Sequence, residues 1–78
     1  MNILPKTHIV LITEVAFEDE VLQVFLYDGR EIRVPLEWFP KLRDASSEKR
    51  TYWRLIGKGI GIHWPDLDED LSLAGLLR

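Results

Sequence analysis

Cysteine is absent from the 78 residues. That one absence excludes disulfide staples, thiolate nucleophiles and cysteine-based zinc sites together. A disulfide-free chain of this size fits a reducing cytoplasm better than secretion. Histidine is almost absent as well. His8 and His63 alone are too few for a zinc site, and no metal or cofactor is expected. Long hydrophobic runs are missing. The apolar stretch Ile9 to Ile12 is far too short for a signal or a membrane span, and Met1 to Lys6 carries no basic region followed by an apolar one. The chain therefore reads as soluble and unprocessed, with no membrane partner. An excess of positive charge is also lacking. The net charge of −3 argues against attraction of the whole molecule to nucleic acid.

What is present suffices for one domain, residues 1–78. A chain this short buries about 60–65% of the surface its unfolded form exposes. Such a core often supplies no more than a few kcal/mol, which makes self-association or a protein partner plausible. Charge is polarised along the chain. From Arg30 to Lys58 eight basic residues stand against four acids, or +4; the remainder has two against nine, or −7, which together give −3.

Hydrophobic periodicity sets the element plan. Thr7 to Phe17 is β-branched and apolar and is expected as a strand, with Thr13, Val15 and Phe17 on one face. Glu18-Asp19-Glu20 is a charged turn. Val21 to Asp28 alternates Val21, Gln23, Phe25 and Tyr27 against Leu22, Val24 and Leu26. Both faces are largely apolar, so this strand is expected to be central or covered on both sides. Asp28-Gly29 is a strong hairpin signal and predicts a type I′ turn. Arg30 to Leu36 returns as a third strand that Pro35 ends. Leu36 to Arg43 reads as a short helix or turn. Ser46 is a good N-cap, and the spacing predicts a helix from there to about Ile56, with Gly57 as its C′ residue. Residues 57–61 read as a flexible connector. Ile60, Ile62 and Trp64 alternate as a short fourth strand ended by Pro65, and Ser72 caps a final turn, Leu73 to Leu77. The expected fold is α+β: an antiparallel sheet of three to four strands in β-β-β-α-β order, packed on one main helix with short helical turns.

The most distinctive stretch is His63-Trp64-Pro65-Asp66-Leu67-Asp68-Glu69-Asp70-Leu71-Ser72. Asp66, Asp68 and Asp70 begin like a calcium loop, but that loop demands Gly sixth and Glu twelfth, where Leu71 and Leu77 stand. The alternatives are an acidic turn with Leu67 and Leu71 packed inward, or a partner surface whose acids steer a basic protein. His63 is a general base or ligand on paper, oriented by Asp66 or Asp68. A packed strand histidine with one hydrogen-bonded nitrogen is the plainer reading. A triad of Ser72, His63 and Asp66 lacks any nucleophile-elbow pattern. Gly57, Gly59 and Gly61 do not follow phosphate-loop spacing. Lys49, Arg50, Arg54 and Lys58 make a basic ridge on the expected helix, close to Tyr52 and Trp53, and so offer nucleic-acid contact through phosphates and stacking. Trp38-Phe39-Pro40 and Trp53 default to core packing, and an exposed tryptophan would be an interface anchor.

Several segments taken together resemble a known family. They are Asp28-Gly29-Arg30, Val34-Pro35-Leu36-x-Trp38-Phe39-Pro40-x-Leu42-x-x-Ala45, and Tyr52-Trp53-Arg54-Leu55-Ile56-Gly57-x-Gly59-x-Gly61 running on through Ile62 to Ser72, with Gly75-Leu76-Leu77 at the end. Along nearly the whole chain from Val10 they closely resemble the small bacterial domain of unknown function 2442 family. Ser47 departs from it, standing where many relatives have Pro. The resemblance implies an α+β fold; it brings no established catalytic residues that could be carried over to this chain. Relatives are mostly stand-alone proteins of this size; some add a DNA-binding helix-turn-helix, for which this chain is too short. Members are often encoded beside another small protein of unknown function, which suggests a toxin–antitoxin-like pair.

The function expected is a non-enzymatic protein-binding module, antitoxin-like toward a small co-encoded protein, with Trp64, Asp66, Asp68, Glu69 and Asp70 as partner-binding residues. A homodimer is compatible with it. The alternatives are nucleic-acid binding through Lys49, Arg50, Arg54 and Lys58, and a small enzyme built on His63 and nearby acids.

Overall fold

Alternation and two tight turns build the first sheet. In the computed structural model, which describes residues 10–77, β1 (Ile12–Glu18) pairs antiparallel with β2 (Val21–Leu26), and β2 with β3 (Glu31–Pro35). The part of the expected first strand at Thr7 to Ile9, and His8 with it, lies outside the described residues. A bulge between Ile12 and Glu14 shifts the β1 register. It lets Ile12 and Val15, which strict alternation would put on opposite faces, both point into the core. β2 is central, as its composition requires. Leu22, Val24 and Leu26 are buried, whereas Val21, Gln23 and Phe25 on the opposite face are half-buried. Across that opposite face Gln23 donates to Glu31, which also accepts from Arg33.

The β2–β3 turn differs from expectation. A type I′ turn needs positive φ at both Asp28 and Gly29, and only Gly29 has it, at 95°. Gly29 N–H donates to Leu26 O, and Leu26 N–H donates to Arg30 O, so three residues form the loop. Asp28 instead accepts from Arg30 N–H through its side chain, a local bond that favours this wider turn.

After β3, Leu36–Trp38 forms a 3-10 turn and Pro40–Arg43 forms α1, with Pro40 in the first turn where its missing N–H costs nothing. Leu36 and Leu42 are buried, and Phe39 packs at the core edge. Trp38 is 67% exposed. Ser46 caps α2 (Ser47–Thr51), accepting a hydrogen bond from Lys49 N–H at 3.3 Å. That bond is long and exposed, so Ser46→Ala is expected to cost only about 0.5–1 kcal/mol. The check is a lower urea midpoint at unchanged slope.

The expected main helix stops there. α2 has five residues, and the chain from Arg54 to Ile56 is strand β4, paired with β5 (Gly61–Trp64). Residues 57–60 are a tight turn between those strands, with Gly59 and Ile60 N–H both donating to Ile56 O; Gly61, expected in a flexible connector, is the first residue of β5. Gly57 belongs to this turn and not to a helix end. β5 pairs in turn with β6 (Glu69–Ser72), so half of the expected acidic turn is strand. Ser72 caps α3 (Leu73–Leu76) through Gly75 N–H. In place of one sheet on one helix, the fold is α+β with two three-stranded antiparallel sheets, β1-β2-β3 and β4-β5-β6, and short helices.

One hydrophobic cluster draws on both sheets and on the α1 segment: Val15, Leu22 and Val24 from the first, Ile62, Trp64 and Leu71 from the second, with Leu36 and Leu42 between. Trp64 is fully buried and meets Phe17 edge-to-face at 6.4 Å. Its indole N–H donates to Arg50 O. A backbone bond also joins the two halves, from Ile12 N–H to Gly59 O at 2.8 Å.

Candidate functional site

Register decides which side chains of the second sheet face outward. Arg54, His63 and Asp70 lie in one row across β4, β5 and β6; Ile56, Gly61 and Ser72 lie in the next. Direct cross-strand partners share a face, so these six side the same way. The opposite face carries Leu55, Ile62 and Leu71, and Trp64 with Glu69. Leu71 and Leu67 pack inward or at the core edge, as the sequence indicates.

The outward face has a shallow depression over Gly61. A Cβ there would stand 2.9 Å from Leu71 O and 3.3 Å from Ile56 Cδ1, so glycine lets the Ile56 side chain lie down across β5. Ile56 and Ile60 form one side of a cavity of about 270 Å3, and Asp70 and Ser72 the other. Ile60 is 59% exposed. Nothing in the acidic run or the glycine spacing points to this depression; it arises from the pairing of Ile56 with Gly61.

His63 is half-buried, and its Nδ1–H donates to Asp70 Oδ1. Asp70, not Asp66 or Asp68, is its partner. The turn takes up residues 65–68, so the register sets 63 opposite 70. The Ser72 hydroxyl accepts from Gly75 N–H as the α3 cap, and Asp66 lies in the turn without a bond to His63. The paper triad is thus not assembled.

The remaining acids separate by register. Glu69 approaches Lys41 Nζ at 3.9 Å, and the same ammonium donates to Asp68 O at 3.1 Å. The Asp66 and Asp68 carboxylates are exposed and form no ion pair among the described residues. No group of three His, Asp or Glu among the described residues is placed to hold a metal ion. Trp64 stands in the core, so its ring is not a contact for a partner.

The basic residues do not form one ridge. Lys49 and Arg50 are on α2, Arg54 is on β4 and Lys58 is in the β4–β5 turn, because the expected helix ends at Thr51. Arg50 is internally engaged: Nε donates to Leu42 O at 2.8 Å, Nη2 to Arg43 O at 2.6 Å, and the guanidinium stands over the Phe17 ring. It staples α1 to α2 and β1. Arg43 is engaged too. Its hydrogen bond to Asp44 holds that carboxyl below the ordinary carboxylate range and pushes the guanidinium up. Among the described residues no helix is long and apolar enough to cross a membrane.

Fold and site together define a small two-sheet α+β domain whose second sheet presents an outward face of Ile56 and Ser72 beside Arg54, His63 and Asp70. The chain belongs to the family described as "Protein of unknown function (DUF2442)", whose model matches residues 12–78. A search of curated proteins gave no match. Among solved structures, a crystal structure of a protein of unknown function from Rhodospirillum rubrum is similar at 28% identity and TM-score 0.75, over 90% of this chain and 87% of that one. The solution structure of an uncharacterized protein from Chromobacterium violaceum, 24% identical, shares the fold with TM-score 0.73 over 94% of this chain and 68% of that one.

Proposed function

We propose that this protein is a non-enzymatic protein-binding module of the cytoplasm whose partner is a small basic protein, in the manner of an antitoxin. The supporting observation is the outward face of β4-β5-β6. It joins exposed Ile56 and Ile60 to Asp70, with the unpaired Asp66 and Asp68 at the adjoining turn. An apolar patch rimmed by charge is the usual composition of a contact surface. The isoleucines receive the aliphatic part of a partner lysine or arginine, and the acids draw in its charge. An enzymatic reading has less support, because the Ser72 hydroxyl beside the His63–Asp70 pair is engaged as a cap. Nucleic-acid binding loses the Arg50 guanidinium to internal bonds.

The test is calorimetric titration with the small protein encoded beside this one, wild type against the Asp66→Lys, Asp68→Lys double variant. The double variant is expected to weaken binding by about tenfold or more, mainly through association rate, and wild-type binding is expected to weaken with salt. Unchanged affinity in the double variant sinks the reading. Concentration-dependent dimers lost in the same variant would assign this face to a second copy instead.

A further inference from the structure

A second surface lies on the other sheet, at the outer edge of β1. Leu26 N–H bonds to Arg30 O on the β3 side. Alternate residues of β2 therefore face β3, and the others, Val21, Gln23 and Phe25, face β1. Their partners are Glu18, Ala16 and Glu14. It follows that the N–H and C=O groups of Val15 and Phe17 point away from β2. Among the described residues no hydrogen bond reaches them from that side. The start of the same edge is already in use, where Ile12 N–H meets Gly59 O.

Opposite this edge stands a wall of Ser47, Arg50, Thr51 and Trp53, and between wall and strand runs a groove of about 450 Å3. The other outer strand is guarded differently. β3 carries Glu31, Arg33 and Pro35, the charges and proline that discourage pairing. β1 has Ala16 at the corresponding place. Asp19 lines the groove, and exposed Glu14 and Glu18 flank Ala16 on β1, Glu18 standing 3.9 Å from Arg33; among the described residues the cation lining the groove, Arg50, is bonded to two carbonyls.

We propose that the β1 edge takes up an extended segment of a basic protein by strand addition. The segment's main chain pairs with Val15 and Phe17. Its apolar side chains lie toward Trp53, and its alternate side chains, lysine or arginine, lie beside Glu14 and Glu18. This surface is separate from the acidic turn at Asp66 and Asp68 and stands or falls independently of it.

The experiment uses the full chain and an eight-residue peptide alternating lysine and valine, followed by fluorescence anisotropy and by amide hydrogen exchange. Saturating peptide is expected to slow exchange at Val15 and Phe17 by about tenfold or more. The same peptide N-methylated at every residue is expected neither to bind nor to protect. Glu14→Lys with Glu18→Lys is expected to weaken the peptide by about tenfold. Three results overturn the proposal: equal binding of the methylated peptide, protection confined to β4, β5 and β6, or no binding in the millimolar range.

Discussion

Trp64→Ala is expected to remove a large part of the stability of the fold. Trp64 is fully buried between the sheets. Truncating a buried tryptophan costs about 3–5 kcal/mol, through lost transfer free energy and the cavity left behind. A 78-residue chain has roughly 4–12 kcal/mol in total at typical stability per residue. Two further losses act in the same direction. The edge-to-face contact with Phe17 disappears, and Arg50 O loses its indole donor. That carbonyl belongs to the residue whose guanidinium holds Leu42 and Arg43, so the damage spreads to α1 and α2. Circular dichroism against temperature reads the result, with a melting temperature at least about 12 °C lower. Trp64→Phe separates the two contributions. It keeps most of the ring packing and removes the donor, and about 1–3 kcal/mol is expected. A Trp64→Ala variant that melts within a few degrees of wild type would contradict the placement of this ring at the centre of the fold.

Trp64 also shows what the sequence makes legible. Its alternation with Ile62 marks β5 correctly, and the same alternation makes both residues core. A tryptophan beside four acids looks like an interface anchor only if the acids share its face, and the pairing Trp64↔Glu69, His63↔Asp70 distributes them otherwise. The first sheet was readable because β1, β2 and β3 follow each other through short turns, so local pattern and pairing coincide. β4 was not. Tyr52, Leu55 and Ile56 sit at helical spacing behind a genuine N-cap at Ser46. The helix loses because Arg54, Leu55 and Ile56 gain a partner strand in β5, whose contacts local spacing does not encode. The candidate site inherits the same limit. The His63–Asp70 bond, the depression over Gly61 and the engagement of Arg50 all depend on register across strands, whereas the exposed acids at 66 and 68 could be named from composition alone.

At Gly59 the β4–β5 turn meets β1, and Gly59→Ala is expected to be the most damaging of the glycine substitutions. Its φ is +121°, and an added Cβ would fall 2.5 Å from Ile12 O, 2.8 Å from Ile12 N and 3.0 Å from Leu11 Cβ. Two of these are backbone atoms and cannot swing aside. Relief requires the β4–β5 turn to withdraw from β1, which breaks the bond from Ile12 N–H to Gly59 O. Gly29 is the control. Its φ is +95°, yet nothing lies within 4 Å of an added Cβ, so Gly29→Ala carries backbone strain alone, about 1–2 kcal/mol. Gly59→Ala adds a steric conflict to similar strain, on the order of 3 kcal/mol or more in all. Urea unfolding of the two variants side by side isolates the difference, because the chemical change is the same in both. Equal losses would mean that the turn yields freely and that the Ile12–Gly59 contact holds little. A loss at Gly59 larger by about 1–2 kcal/mol would establish this contact as the tie between the sheets. The tie also bears on recognition, since Gly59 occupies the first position along the β1 edge and fixes where an added strand must begin.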